Sequence, residues 1–350
     1  MQFRKISIIG VGLLGGSLGL AVRKHKLAGE IAGFVRREAS LRDCELAGAV
    51  DYATTDLLAA VSNADLVILC TPLAQMAELT RQLVPGLKRG AIVTDVGSVK
   101  ADVVQELESI IKKSGAHFVG GHPMAGGEKM GVLASRVDLY QDAVCIITPT
   151  RHSNPAAIRK LEKFWHAVGS RTLLMDAAHH DLLVSRTSHL PHVTAAALAT
   201  LVLRPSQPKS QAELCAAGFR DTTRIASGSP EMWRDIAMAN RKNIAQSVDG
   251  LIGELKKFQT ALRGGETFGG RKVFRGCQNA AGRLVFGPGI RLIGMNVAMK
   301  AAIHRKSFFA RIGLAGQSNA GGDGAHGVTR RTKMDGEQFR TEWKNIHGTA

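Results

Sequence analysis

The groups in this chain that could do chemistry stand among glycines at two places. The first is Gly120-Gly121-His122-Pro123-Met124-Ala125-Gly126-Gly127-Glu128, which follows a short apolar run, His117-Phe118-Val119. The glycines predict a tightly turning backbone, and Pro123 fixes the chain just after the imidazole. A histidine at the mouth of a sheet can act as acid or base near neutral pH. The second place is Ile6-Ser7-Ile8-Ile9 running into Gly10-Val11-Gly12-Leu13-Leu14-Gly15-Gly16-Ser17. The spacing of Gly10, Gly12 and Gly15 allows a tight turn, close approach of backbone to a pyrophosphate, and close helix–strand packing. It predicts a dinucleotide site on Gly10, Gly12, Leu14 and Gly15. The phosphates would rest on the helix N-terminus, where free N–H groups and the helix dipole favour anions.

Three further positions point to the same edge. The second strand, Ile31–Val35, ends in Arg36-Arg37, where a carboxylate for the adenine ribose would normally stand. An arginine there can pair with a 2′-phosphate, which favours NADP over NAD. Cys70-Thr71-Pro72 closes one strand, and Asp95-Val96-Gly97-Ser98-Val99-Lys100 closes another. Ligands of open α/β sheets bind beyond the carboxyl ends of the strands. Thr71, Ser98 and His122 should therefore all approach the nicotinamide end of the cleft.

The elements that must position these groups follow from periodicity. Residues 1–175 alternate short apolar runs with helical patterns. Strands are expected at Lys5–Ile9, Ile31–Val35, Leu66–Cys70, Ala91–Asp95, Phe118–Gly120, Ala143–Ile147 and Arg171–Met175. Helices are expected at Gly15–His25, Ser40–Ala47, Ala74–Leu83, Ala101–Ser114 and 155–168. Such alternation predicts an α/β class, an N-terminal doubly wound Rossmann sheet with helices on both faces. From residue 176 to 263 the strand signals stop. Helical stretches Ala177–Leu203, Gln211–Ala226 and Glu231–Leu262 predict an all-α substrate and dimerisation domain. Residues 264–350 carry 17 of the 39 glycines and 14 Lys and Arg against 5 Asp and Glu. Apart from some helical character at Gly294–Phe309, this segment reads as a basic, poorly ordered tail.

Composition narrows the class. The net charge of +17 invites a nucleic-acid reading, but the front of the chain has no basic stripe interleaved with aromatics. The five cysteines are scattered with no C-x-x-C pair, which fits a reducing cytoplasm rather than a disulfide framework. No signal peptide and no membrane span are expected. Ser188-His189-Leu190-Pro191-His192 offers two histidines, but without H-E-x-x-H or nearby acidic ligands no metal is expected.

Taken in order, these motifs resemble the prephenate/arogenate dehydrogenase family of tyrosine biosynthesis. The resemblance rests on Gly10–Ser17, Cys70-Thr71-Pro72, Thr94–Lys100, Gly120–Gly126, Ser188–His192, Gly218-Phe219-Arg220-Asp221-Thr222-Thr223-Arg224-Ile225-Ala226 and Trp233-Arg234-Asp235. It covers about residues 5–260 and leaves the tail outside. It implies oxidative decarboxylation of a cyclohexadienol, prephenate or arogenate, with NADP or NAD as hydride acceptor. In that family's terms His122 is the catalytic histidine, and Ser98 is the hydroxyl that bonds and orients it. Arg224 holds a substrate carboxylate and Arg220 is a weaker cationic candidate. Ser188 and His192 contact substrate, Glu128 gates the pocket, and Trp233 reaches in from the partner subunit of a homodimer.

Two other readings compete. A β-hydroxyacid-type NAD(P) dehydrogenase would also join a Rossmann domain to helices, but it would use a lysine on a long helix, where this chain offers histidines and arginines. A non-catalytic NADP-sensing regulator with a nucleic-acid-binding tail would have no use for a proton acceptor beside the nicotinamide.

Overall fold

The computed structural model describes residues 1–264, so the expectations for the tail, including Gly294–Phe309, lie outside the described residues. The chain opens with β1 (Phe3–Ile9), α1 (Leu13–Lys24), β2 (Ala28–Phe34), α2 (Ala39–Ala47), β3 (Tyr52–Thr54), α3 (Leu57–Val61) and β4 (Leu66–Leu69). It continues with α4 (Leu73–Leu83), β5 (Ile92–Asp95), α5 (Ala101–Ile111) and β6 (His117–Phe118). The six strands form one parallel sheet in the order β3-β2-β1-β4-β5-β6. Two apolar layers sandwich it. On one face Ile6, Ile8 and Ile68 pack with Leu18 and Val22 of α1 and with Phe164 and Trp165. On the other, Val67, Leu69 and Val93 meet Val61, Leu79 and Leu107 from α3, α4 and α5. Strands buried on both faces read as near-continuous apolar runs, which is why Ile6–Ile9 and Leu66–Leu69 were legible. The strand order reverses between β1 and β4, and the crevice beyond their carboxyl ends is the expected ligand position.

Two features of this half depart from expectation. β3 and α3 are short elements that the apolar pattern does not reveal. The strand at Ala143–Ile147 also does not extend the parallel sheet. After Val119 the chain leaves that sheet and starts a second one from β7 (Gly120–Pro123), β8 (Val144–Thr148) and β9 (Arg171–Leu174), with α6 (Pro155–Ala167) between the last two. β7 is antiparallel to β8, and β8 is parallel to β9.

The second half is helical: α7 (Ala177–Val184), α8 (Leu190–Leu203), α9 (Lys209–Glu213), α10 (Ala217–Thr223), α11 (Pro230–Ala239) and α12 (Arg241–Arg263). The predicted single helix over Ala177–Leu203 is interrupted by a π-helical turn at Ser185–His189, just before Pro191. Proline lacks an N–H and crowds the preceding turn, so the local widening has a cause. The predicted stretch Glu231–Leu262 likewise breaks at Asn240. No helix among the described residues is long and apolar enough to cross a membrane.

Candidate functional site

The dinucleotide turn is built as its spacing requires. Gly10 has φ +99°, and a Cβ there would lie 2.8 Å from the Cys70 carbonyl oxygen at the end of β4. A Cβ on Gly15 would fall 2.2 Å from the Gly10 carbonyl oxygen. A Cβ on Gly12 would meet nothing within 4 Å. Gly10 and Gly15 thus shape the turn, whereas Gly12 borders open space where a ligand can approach the backbone. Gly12 also caps α1 without a side-chain hydrogen bond, and the first turn holds no acidic residue, so its N–H groups remain available to an anion. The backbone at Leu14 is held by the Tyr140 hydroxyl, which donates to its carbonyl at 2.8 Å. Across the crevice, the Thr71 hydroxyl is buried without a hydrogen-bond partner among the described residues. A buried orphan donor at the end of a strand is costly unless a ligand completes it. These residues fit a nicotinamide dinucleotide. Arg36 and Arg37 are exposed at the end of β2, and among the described residues neither forms an ion pair.

His122 does not sit in a turn. It lies in β7, opposite Ile146 of β8, and is 7% exposed. Gly120 and Gly121 serve close packing instead of unusual backbone angles. A Cβ on Gly120 would meet the Thr148 hydroxyl at 2.5 Å, and one on Gly121 the Asp95 carbonyl at 2.9 Å. Gly121 donates its N–H to Asp95 Oδ1 at 3.1 Å, which ties β7 to the end of β5. Asp95 Oδ2 also accepts from the Gly97 N–H at 2.8 Å and pairs with the fully buried Lys100 ammonium. The loop that carries Ser98 is therefore pinned at both ends.

The ring partner of His122 differs from expectation. Its Nδ1 lies 2.8 Å from His180 Nε2, with the two rings edge to face at 70°. His180 Nδ1 lies 2.8 Å from Asp181 Oδ1. The half-buried Ser98 hydroxyl makes no hydrogen bond to the imidazole, because His180, arriving on α7, takes the Nδ1 position. Burial holds His122 well below the ordinary imidazole range, helped by neighbouring His180, Lys100 and His189. The ring is neutral at pH 7, as a proton acceptor must be. Burial likewise brings His189 down to about 4 and lowers His192.

The helical half supplies the remaining polar groups. Glu128, on the loop after β7, forms an ion pair with Arg224 at the end of α10, and both side chains are substantially exposed. Two residues chosen for separate roles are thus brought together. Trp233 stacks face to face on His192 of its own chain, with ring centroids 3.4 Å apart and 14° between planes. Gly228, at the break Gly228-Ser229-Pro230 before α11, lies close against the Trp233 ring: a Cβ there would fall 2.8 Å from Trp233 Nε1. Ser188 lies half-buried in the π turn, and Arg220 is exposed on α10 without a charged partner among the described residues. The sequence assigned no site role to His180, Asp181, His189, Lys100 or Asn240, all of which the structure gathers around His122 or its partners. The adjacent pair His180-Asp181, early in the first helix of the helical half, was the available signal.

Comparison with known proteins agrees with this architecture. Residues 18–174 match the nucleotide-binding domain of prephenate dehydrogenase, and residues 176–274 match its dimerization domain. A cyclohexadienyl dehydrogenase from Zymomonas mobilis is 35% identical over 263 residues, covering 74% of this chain and 89% of that protein. A prephenate dehydrogenase from Bacillus subtilis is 35% identical over 258 residues, covering 73% and 69%. The crystal structure of prephenate dehydrogenase from A. aeolicus, in complex with hydroxyphenyl propionate and NAD+, superposes with a TM-score of 0.73 at 32% identity, covering 79% of this chain and 97% of that one. A buried neutral imidazole beyond a dinucleotide-binding sheet, faced by helices bearing arginines, has a place in that company: the chain belongs to the prephenate dehydrogenase family, oxidoreductases of tyrosine biosynthesis.

Proposed function

We propose that this enzyme converts prephenate to 4-hydroxyphenylpyruvate, with His122 as the base. The observation that carries the reading is the neutral, buried imidazole at the cofactor edge of the sheet. Its Nε2 has no hydrogen-bond partner among the described residues. A nicotinamide dinucleotide on the Gly10–Gly15 turn supplies the hydride acceptor. His122 Nε2 takes the ring-hydroxyl proton as hydride leaves the same carbon. The ring carboxylate departs as CO2 and the ring aromatises. The proton then returns to the phenolate oxygen, so one hydride and one CO2 leave the substrate with no net proton released. Ser98 and Thr71 would border a bound nicotinamide, where the Thr71 hydroxyl, unpartnered among the described residues, would find a hydrogen-bond partner.

The substrate is a dianion, and a guanidinium offers a carboxylate a two-pronged hydrogen bond. Arg224 takes that role, with Glu128 holding the guanidinium until a substrate carboxylate competes for it. Arg220 adds positive potential, while Ser188, His192 and Trp233 form the wall. Arogenate differs from prephenate only at the side-chain amino group, and no residue here is assigned to that group. At the ribose 2′ position, the exposed Arg36-Arg37 pair supports NADP, while the NAD+ complex of the A. aeolicus relative supports NAD. The KM ratio for the two cofactors decides between them. The match to a dimerization domain supports a homodimer, and scattered free cysteines support a cytoplasmic setting.

His122→Asn is the test. Turnover of prephenate should fall by roughly 100- to 10,000-fold, the usual contribution of a general base. Dinucleotide binding should stay within a few-fold of wild type. Wild-type turnover in this variant would remove His122 from the chemistry.

A further inference from the structure

We propose that His180 and Asp181 form a positioning relay that fixes which ring nitrogen of His122 faces the substrate and steadies the imidazolium formed when it takes the proton. The inference rests on the reading of His122 as the base.

The argument is one of donors and acceptors. Asp181 Oδ1 accepts the backbone N–H of Lys100 at 2.8 Å, and Oδ2 accepts that of Ala101 at 2.8 Å. These are N–H groups at the start of α5, where the helix dipole favours negative charge. A carboxylate so placed only accepts, so His180 Nδ1, 2.8 Å away, must carry its proton toward Asp181. A neutral His180 then has a bare Nε2, which accepts from His122 Nδ1 at 2.8 Å. His122 is left with a bare Nε2, the tautomer that can receive a hydroxyl proton. The reverse arrangement would aim the His180 Nδ1 lone pair at the carboxylate. His180 is fully buried and Asp181 is 3% exposed, so water cannot substitute in the chain. Asn240 holds the base of the relay, donating to the Asp181 carbonyl at 2.8 Å and lying 3.2 Å from His189 Nδ1.

When His122 Nε2 gains the hydroxyl proton, the positive charge lies one hydrogen bond from a ring polarised by Asp181. The proton returns by the same nitrogen, so the relay needs no net proton transfer. The other titratable groups facing His122 are Lys100 and Asp95 at the end of β5, Cys145 on β8, and His189 on the π turn. His180, Lys100 and His189 as charges all disfavour the imidazolium, so its support comes from the Asp181 carboxylate, which reaches His122 through the hydrogen bonds of the intervening ring.

Three variants test the relay beside His122→Asn. His180→Leu removes the acceptor, His180→Gln offers a carboxamide oxygen to His122 Nδ1, and Asp181→Asn keeps an acceptor but removes the charge. We expect His180→Leu and Asp181→Asn to lose at least about tenfold in kcat while KM for prephenate and dinucleotide affinity stay near wild type. The acid limb of the kcat profile should move to lower pH in both, and His180→Gln should recover part of kcat. Wild-type kcat and an unmoved acid limb in His180→Leu or Asp181→Asn would overturn the relay. So would a loss that falls equally on dinucleotide affinity, which marks a merely structural role. A dead His122→Asn enzyme alongside wild-type relay variants refutes only the relay, whereas an active His122→Asn enzyme refutes the base.

Discussion

The two halves of the described chain are built on different terms. The sheet half buries most of its large apolar side chains in two layers, down to fully enclosed Trp165, Phe164 and Ile6. Between Ala177 and Arg263 the buried hydrophobic residues are only Val184, Ala195, Ile236 and Ile244. Leu201, Leu203, Ile252, Leu255 and Leu262 are exposed on α8 and α12. Ile252, Leu255 and Leu262 recur at helical spacing and form a stripe along α12 that nothing among the described residues covers. A chain that keeps large apolar stripes exposed is prepared for association. The catalytic groups follow the same division. The proposed base lies on a buried strand, while Arg224, proposed to meet the substrate, is exposed at the end of α10.

This contrast predicts effects of decreasing size. Arg224→Ala should lower kcat/KM for prephenate by roughly 10- to 100-fold, chiefly through KM, as expected for a lost charged hydrogen-bond pair. An unchanged KM would take Arg224 out of the site. In the glycine turn, Gly15→Ala places a methyl group 2.2 Å from a backbone oxygen and should destabilise the fold by about 1–3 kcal/mol in urea titration. Gly12→Ala meets only open space, so it should leave the urea midpoint in place and weaken dinucleotide binding by about tenfold, or 1.4 kcal/mol. Equal stability losses in the two variants would dissolve the distinction between turn-shaping and ligand-facing glycines. On the helical side, Leu255→Glu should shift the sedimentation equilibrium toward monomer by at least about tenfold, the worth of one buried leucine. The smallest effect is expected at a cap remote from the cleft. Asp56 accepts the Leu58 and Ala59 N–H groups at the start of α3, so Asp56→Ala should cost about 1 kcal/mol and leave turnover alone.

What could be read in the sequence divides along similar lines. The glycine turn and most of the buried strands were legible because their signals are local: apolar runs of strand length and glycines at fixed offsets. β3, three residues long and partly exposed, carries no such signal. The departure of the chain from the first sheet at Val119–Gly120 was not legible either, since it depends on β8 pairing antiparallel with β7 from some twenty residues on. At the site, the glycine-flanked position at a strand end pointed to His122, and resemblance supplied Arg224 and Glu128 singly. Their partners are long-range facts: His180 lies 58 residues from His122, and Arg224 meets Glu128 from 96 residues away. Ser98 was expected as the orienting group because the family resemblance implies it. The structure gives the Nδ1 position to His180 because α7 packs its buried face there.

Burial of neutral histidines also has a consequence for stability. His122 and His189 both hold their protons less tightly folded than unfolded, so the unfolded chain binds more protons below the ordinary imidazole value of 6.5. Stability from these groups is present above pH 6.5 and is lost as pH falls toward about 4 for His189. Urea midpoints measured across that window should fall with acid, and a midpoint independent of pH there would contradict the burial of neutral rings.

The most direct test of the central claim, a base kept neutral by burial on the sheet half, is the pH dependence of kcat/KM for prephenate. That profile reports the free enzyme's essential base. It should be level through neutrality and fall on an acid limb lying below 6.5, the direction in which His122 is shifted. An acid limb above 6.5 would mean that the essential base is not the buried His122.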